Sequence, residues 1–433
     1  MTPPLIGLAG FVAVLALIAV RVPVAVSMGV VGALGFAVLN GWSGTAFVMG
    51  SAPFQAIFPY SLSVVPLFIL MGVLASHAGL SRRLYEGVYA VVGHRRGGLA
   101  MATVGACAAF GAICGSSLAT AATMCRIALP EMRRHGYDDR LAAAAIAAGG
   151  TLGVLIPPSI ILVIYGILTQ VSIGKLFAAA LLPGVLGTVL YLGAVDVQTR
   201  LNPRLGPAGE RHPWPVRLRA MRRTFPVALL FFLVIGGIYL GWFSPTEAAA
   251  VGAFGTMILA AAGRRLTRRM IADTLGETAT MTGMIFLILI GAAVFNYFLE
   301  STGLPQFLLA AVKGLGWNRY AVMLLLILFY LALGCFMDSL SMILLTVPFI
   351  YPLVQGLGFD GVWFGILVVT VVEMGLITPP VGMNLFVIHG VAGDLAIATI
   401  VRGILPFLLA DILRLAILVA FPMLALWLPS LMI

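Results

Sequence analysis

Shifted by 222 positions, this chain falls on itself. Ser117 lands on Ser339, Leu118 on Leu340 and Gly153 on Gly375. Among 24 prolines, five pairs coincide at that one offset: Pro4 with Pro226, Pro23 with Pro245, Pro130 with Pro352, Pro157 with Pro379 and Pro158 with Pro380. So dense a match marks an internal duplication, and its best-preserved stretches carry Gly, Pro and Ser. A duplicated apolar chain with helices interrupted at corresponding places is the pattern of a secondary transporter, whose site lies where the broken helices meet.

The duplicated unit is apolar enough for lipid. Apolar residues make up 61% of the chain and charged residues 9%, with a mean hydropathy of +1.11. A soluble domain carries about 25% charged residues, so the composition defines a polytopic helical membrane protein. Runs such as 5–20 and 225–243 are continuously apolar, unlike the alternating strands of a transmembrane β-barrel. The first cation, Arg21, follows the first apolar run, and Met1 to Val20 lacks a basic start, so no cleavable signal is expected.

Ten segments have the character of spans: roughly 4–20, 22–39, 63–79, 141–168, 176–196, 224–243, 245–262, 281–299, 362–390 and 402–428. Five per copy is an odd number, so the second copy must enter the bilayer from the opposite side. The cations agree. Connectors at 21, 81–96, 126–140, 200–223, 264–269 and 402 hold 21 of 25 Lys and Arg residues. Placing them in the cytoplasm puts both termini in the periplasm of an inner membrane. The net charge of +10 is thus a topology signal, and no nucleic-acid partner is expected. Trp42, Trp242, Trp317, Trp363 and Trp427 fall at the expected outer interface, where an aromatic belt belongs.

The expected fold is all-α, with two inverted-topology repeats of five spans and one re-entrant hairpin each. Residues 1–200 form the first repeat, with a hairpin at 97–130 and a broken helix at 141–168. A cytoplasmic linker covers 201–223. The second repeat covers 224–433, with a hairpin at 320–352 and a broken helix at 362–390. Hairpin arms of this length fall short of the ~20 residues that cross a bilayer, and their bent tips need protein or a watery cavity around them. Residues 81–93, 264–280 and 303–316 read as interfacial arms.

Two constellations carry the chemistry. The first joins Gly115-Ser116-Ser117-Leu118-Ala119-Thr120 to Gly149-Gly150-Thr151-Leu152-Gly153-Val154-Leu155-Ile156-Pro157-Pro158-Ser159. Paired prolines remove amide donors and force the preceding residue out of the helix, while the glycines let the chain unwind beside them. Freed carbonyls and hydroxyls are hard ligands for a small cation, and half-helix amide ends favour an anion. The second joins Asp338-Ser339-Leu340-Ser341 to Glu373-Met374-Gly375-Leu376-Ile377-Thr378-Pro379-Pro380-Val381-Gly382-Met383-Asn384 and adds charge, Asp338 standing for Ser116 and Glu373 for Thr151. An intramembrane carboxylate must be neutralised or coordinated, so Asp338 is a cation-site candidate, with a hydrogen-bonded staple of the hairpin as the structural alternative.

Other polar residues read more plainly. Asp411 and Arg414 suit an intrahelical ion pair, and Glu247 after Ser244-Pro245-Thr246 a helix-start acid. His77, His94, His135, His212 and His389 have no partner at ligand or triad spacing. Cys107, Cys114, Cys125 and Cys335 lie in apolar stretches without metal-ligand spacing. Walker, Rossmann and zinc motifs are absent, so no nucleotide partner is expected. A serine enzyme built on Ser117 or Ser339 would lack a base.

The four motifs together resemble the large membrane subunit of tripartite ATP-independent periplasmic (TRAP) transporters. The resemblance spans essentially the whole chain. It implies an elevator-type, sodium-driven importer of organic acids, working with a small four-helix membrane subunit and a periplasmic substrate-binding protein. On that basis the substrate pocket takes Ser116, Ser117, Thr120, Ser159, Ser339, Thr378, Pro380 and Asn384. One sodium is expected at Ser116, Gly149, Gly153, Val154 and Pro157, a second at Asp338, Gly375, Thr378 and Pro379. A stand-alone sodium- or proton-coupled carboxylate symporter or exchanger of the same superfamily is the alternative.

Overall fold

The prolines and glycines that punctuate the sequence set most of the helix boundaries in the structure, a computed structural model. It describes residues 2–211, 213–314 and 316–432; Met1, His212, Leu315 and Ile433 lie outside the described residues. In chain order the helices are α1 (Pro3–Ala19), α2 (Val24–Ile57), α3 (Val64–His77), α4 (Leu80–Val92), α5 (Gly98–Cys114), α6 (Ser117–Arg134), α7 (Asp139–Leu155), α8 (Ile160–Thr169) and α9 (Ile173–Leu201). Then follow α10 (Trp214–Tyr239), α11 (Pro245–Ala262), α12 (Arg268–Thr302), α13 (Leu304–Gly314), α14 (Arg319–Gly334), α15 (Ser339–Gly356), α16 (Gly361–Gly375), α17 (Met383–Ala392), α18 (Ile397–Ala420) and α19 (Met423–Ser430). No strand occurs among the described residues.

The duplication is visible in these bounds. Displaced by the same 222 positions, α6 coincides with α15, while α5, α7 and α8 fall within a few residues of α14, α16 and α17. The capping chemistry repeats too. Ser116 Oγ accepts from the amide of Ala119 at 3.4 Å, and Asp338 Oδ2 accepts from Ser341, its counterpart, at 3.0 Å. Asp138 caps α7 through the Arg140 amide and Asp360 caps α16 through Val362, both at 2.8 Å. Each cap satisfies an orphan amide of a helix start. Both Pro-Pro pairs, Pro157–Pro158 and Pro379–Pro380, carry a cis peptide bond.

Among the described residues, eight helices are long and apolar enough to cross a bilayer, or nine if α7 and α8, bent by 41°, count as one. The ten segments expected from the sequence map unevenly onto these. The segment 402–428 is divided at Pro422 into α18 and α19. The segment 22–39 extends to Ile57 through a kink at Gly41, where φ is +77°. Residues 264–280 do not form a separate interfacial helix. From Arg268 they are the first part of α12, which runs unbroken for 35 residues because no proline interrupts it. At 1.5 Å per residue α12 spans about 52 Å, well beyond the ~30 Å hydrocarbon layer.

The linker is narrower than 201–223, since α9 holds Leu201 and α10 starts at Trp214. Its coil is tied down by backbone bonds from Gly97 to Gly206, Gly209 to Gly93 and Asp138 to Leu205, and Tyr137 donates to the Pro207 carbonyl at 2.9 Å. Trp363 departs from the aromatic belt. It is 3% exposed and donates its indole N–H to the Leu418 carbonyl at 3.0 Å, because α16 is enclosed by neighbouring helices. Trp42, Trp242, Trp317 and Trp427 remain exposed.

Candidate functional site

The glycines before the first Pro-Pro pair do not unwind the chain, contrary to the expectation from sequence. Gly149, Gly150 and Gly153 lie inside α7, and the irregular backbone is confined to the residues between Leu155 and Ile160. Their role is close packing. A Cβ on Gly153 would stand 2.9 Å from the Cα of Gly111 on α5, and one on Gly375 would stand 2.6 Å from the Cα of Gly334 on α14. Each hairpin therefore crosses its broken helix backbone against backbone.

The prolines do free backbone groups. Pro157 and Pro158 have no N–H, so the carbonyls of Gly153 and Val154 lose their helical donors four residues on. The second break is stitched differently. Gly375 accepts from the Thr378 amide at 3.0 Å, Leu376 from the Asn384 amide at 3.0 Å, and Cys335 from the Gly382 amide at 3.2 Å.

Side chains then tie the two copies together. Asn384, fully buried, donates from Nδ2 to Ser117 Oγ at 2.8 Å and to the Ala147 carbonyl at 3.2 Å. Ser339 donates to Glu373 Oε1 at 2.7 Å, and Glu373 is 1% exposed. Several buried oxygens nearby have no protein partner: Thr120 Oγ1, Ser341 Oγ, Glu373 Oε2 and the Asn384 Oδ1. Such orphans are costly in a low-dielectric interior unless a cation, water or polar ligand meets them.

The two hairpin tips face one cavity of about 260 Å3, lined by Gly115, Ser116, Ser117, Leu118 and Ala119 from the first copy and Asp338, Ser339, Leu340 and Leu376 from the second. Val154, Ile160 and Ile161 close one wall, and Glu277, Met281, Met284 and Ile285 of α12 close another. Of the residues expected around a pocket, Ser116, Ser117 and Ser339 thus line this cavity. Thr120, Ser159, Thr378, Pro380 and Asn384 do not. Ser159 caps α8 by accepting from the Leu162 amide at 3.3 Å, Thr378 donates to the Met374 carbonyl at 2.7 Å, and Pro380 is exposed. Of the expected ion ligands, Ser116, Val154 and Asp338 line it, whereas Gly149 and Gly153 lie within α7, Gly375 ends α16, and Pro157, Thr378 and Pro379 lie in the breaks behind. The α12 wall was missed by sequence reasoning. Its one signal was Glu277, an acid within four residues of an apolar run.

A further polar chain backs the first break. Thr151 Oγ1 lies 3.2 Å from Tyr191 Oη, which donates to Asp411 Oδ2 at 2.7 Å, and Arg414 Nη2 stands 2.8 Å from Asp411 Oδ1. The expected i, i+3 ion pair is therefore present, and both partners are buried. Glu247 likewise completes a capping box with Ser244.

This geometry defines a class: a helical membrane transporter built from paired hairpins and broken helices around a central cavity. Solved structures share the fold. The YdaH transporter of Alcanivorax borkumensis superposes on 99% of both chains with a TM-score of 0.65 at 17% identity. Neisseria gonorrhoeae MtrF superposes with a TM-score of 0.59 at 12% identity, over 99% of this chain and 95% of that one. Residues 11–424 match the family described as tripartite ATP-independent periplasmic transporter, DctM component, and the chain belongs to that family of TRAP large permease subunits. It is 36% identical to the C4-dicarboxylate TRAP transporter large permease protein DctM of Pseudomonas aeruginosa over 87% of this chain and 88% of that one. It is 34% identical to the sialic acid permease SiaM of Vibrio cholerae (92% and 93% covered) and to the ectoine/5-hydroxyectoine permease UehC of Ruegeria pomeroyi (92% of each).

Proposed function

We propose that this chain imports a compact organic-acid anion across a bacterial inner membrane, driven by sodium, as the large subunit of a binding-protein-dependent complex. The observation that carries this reading is the single cavity between the tips of the two hairpins. The starts of α6 and α15 both open onto it, so free amides and positive helix ends converge where a carboxylate would lie. Ser116, Ser117 and Ser339 add hydroxyls, and the volume favours a small acid.

Sodium belongs to the reading as co-transported cargo. The donor set around each break is oxygen from hydroxyl, carbonyl and carboxylate groups, which suits a hard monovalent ion. Ser116, Gly153 and Val154 would serve one site, Asp338 and Thr378 the other. Orphaned oxygens on Thr120, Ser341, Glu373 and Asn384 support the presence of additional polar occupants.

In the same reading the two copies are inverted, both termini are periplasmic, and hairpins with broken helices move as one body against the scaffold. A small membrane subunit and a periplasmic binding protein complete the assembly. The test is uptake into proteoliposomes holding this chain and its small subunit, with binding protein outside and succinate, N-acetylneuraminate or ectoine as labelled solutes. Uptake that needs an inward sodium gradient and the binding protein is expected. Equal uptake without sodium would remove the coupling, and uptake by this chain alone would favour the stand-alone symporter.

A further inference from the structure

Beside the central cavity lies a second one of about 220 Å3. The two adjoin, sharing Ser116, Ala119, Ile160, Glu277 and Met281 in their walls. The second wall set combines Thr123 and Arg126 of α6 with His77 of α3 and Glu277 of α12. Glu277 is committed, with Oε2 3.0 Å from His77 Nε2. Arg126 is not. Among the described residues its exposed guanidinium has no ion-pair or hydrogen-bond partner.

The duplication shows that the fold does not require these charges. The positions 222 residues away from His77, Arg126 and Glu277 are Leu299, Pro348 and Gln55. The combination of His77, Arg126 and Glu277 is therefore particular to one copy, since none of the three counterparts is charged. Arg126 sits ten residues along α6 from the capping Ser116, about 15 Å at helical rise, so the cavity leads from the arginine-rich end of the hairpin to its tip.

We propose that this cavity is a transit site for the organic anion, with Arg126 taking its carboxylate or sulfonate on the way between the hairpin tips and the arginine-rich side. A guanidinium binds such groups bidentately and is the cavity's uncommitted charge. The inference rests on the transport reading above, but its test uses no transported substrate.

A single cysteine at Thr123, in a chain whose four native cysteines are replaced by alanine, reports on the cavity. Its modification rates are measured with 2-sulfonatoethyl methanethiosulfonate and 2-(trimethylammonium)ethyl methanethiosulfonate, each normalised to a free thiol. The anionic reagent is expected to be favoured, and Arg126→Gln to lower that preference about tenfold, the scale of one partly screened charge nearby. Arg126→Lys should keep most of it. Equal normalised rates, a preference for the cationic reagent, or no reaction with either would overturn the proposal. Ala122→Cys, in the same wall, repeats the measurement should the Thr123 variant fail to fold. Absence of sodium-driven uptake would leave this result standing, so the two readings fail separately.

Discussion

Asn384 Nδ2 lies 2.8 Å from Ser117 Oγ, a hydrogen bond across 267 residues that joins the second broken helix to the first hairpin tip. It makes the two copies one unit at the wall of the cavity. Replacing Asn384 with Ala removes this bond and the one to Ala147, and should lower stability by about 1–3 kcal/mol. Asn384→Asp, whose carboxylate can accept from the Ser117 hydroxyl but has no proton for the Ala147 carbonyl, should also be destabilised. Thermal unfolding in detergent measures the loss, and an unchanged midpoint for both variants would show that the bridge carries no weight.

Glu373 calls for a different comparison. Gln at this position still accepts from Ser339, so Glu373→Gln should keep the melting temperature, whereas Glu373→Leu orphans the Ser339 hydroxyl and lowers it. If the carboxylate helps hold sodium, Glu373→Gln also raises the sodium concentration giving half-maximal uptake. An identical sodium dependence would assign Glu373 to structure alone.

Backbone contact at the crossings predicts intolerance of a single methyl. Gly153→Ala and Gly375→Ala should each cost about 1–3 kcal/mol, because the facing atoms are Cα atoms that cannot rotate aside. Gly236→Ala on α10, where nothing lies within 4 Å of an added Cβ, is the control and should be neutral or slightly stabilising. Equal melting temperatures for all three would contradict the packing account.

Breaking the buried pair on α18 should be severe. Arg414→Met strands Asp411 without its cation and is expected to cost about 3–5 kcal/mol. The double variant Asp411→Leu with Arg414→Met should recover most of that loss. A double variant as unstable as the single one would mean that the Tyr191–Thr151 connection, rather than the ion pair, dominates.

Outside the membrane, Arg133 bridges Asp139 at 2.7 Å and Asp394 at 2.9 Å. The hydrogen bond from Arg133 holds the Asp394 carboxyl below its ordinary value. A depressed carboxylate stabilises the fold above the unfolded aspartate pKa and loses that contribution as pH falls through the folded value. Wild type and Asp394→Asn should therefore differ most near neutral pH and converge under acid, with a small gap because the pair is exposed. A gap that widens on acidification would reverse the sign.

Much of the architecture was legible because covalent facts dictate it. Pro157–Pro158 and Pro379–Pro380 cannot continue a helix, and Ser116 and Asp338 are good caps, so both breaks and both tips could be located from residue type. What misled the reading was the assumption that glycine next to a break means unwinding. Gly149, Gly150 and Gly153 stay helical because a facing hairpin fills the space their missing side chains leave. Trp363 misled for a related reason, since an interfacial residue type cannot report that other helices surround it.

By itself, the chain's order of residues determined membrane residence, the duplication, and the places where helices must stop, since hydropathy, proline and capping act within a few residues. Only the tertiary structure decided that Ser117 meets Asn384, that both tips share a cavity, and that α12 supplies its outer wall. Those outcomes depend on how helices distant in sequence cross. The crossings are set by many weak packing contacts whose sum no local pattern records.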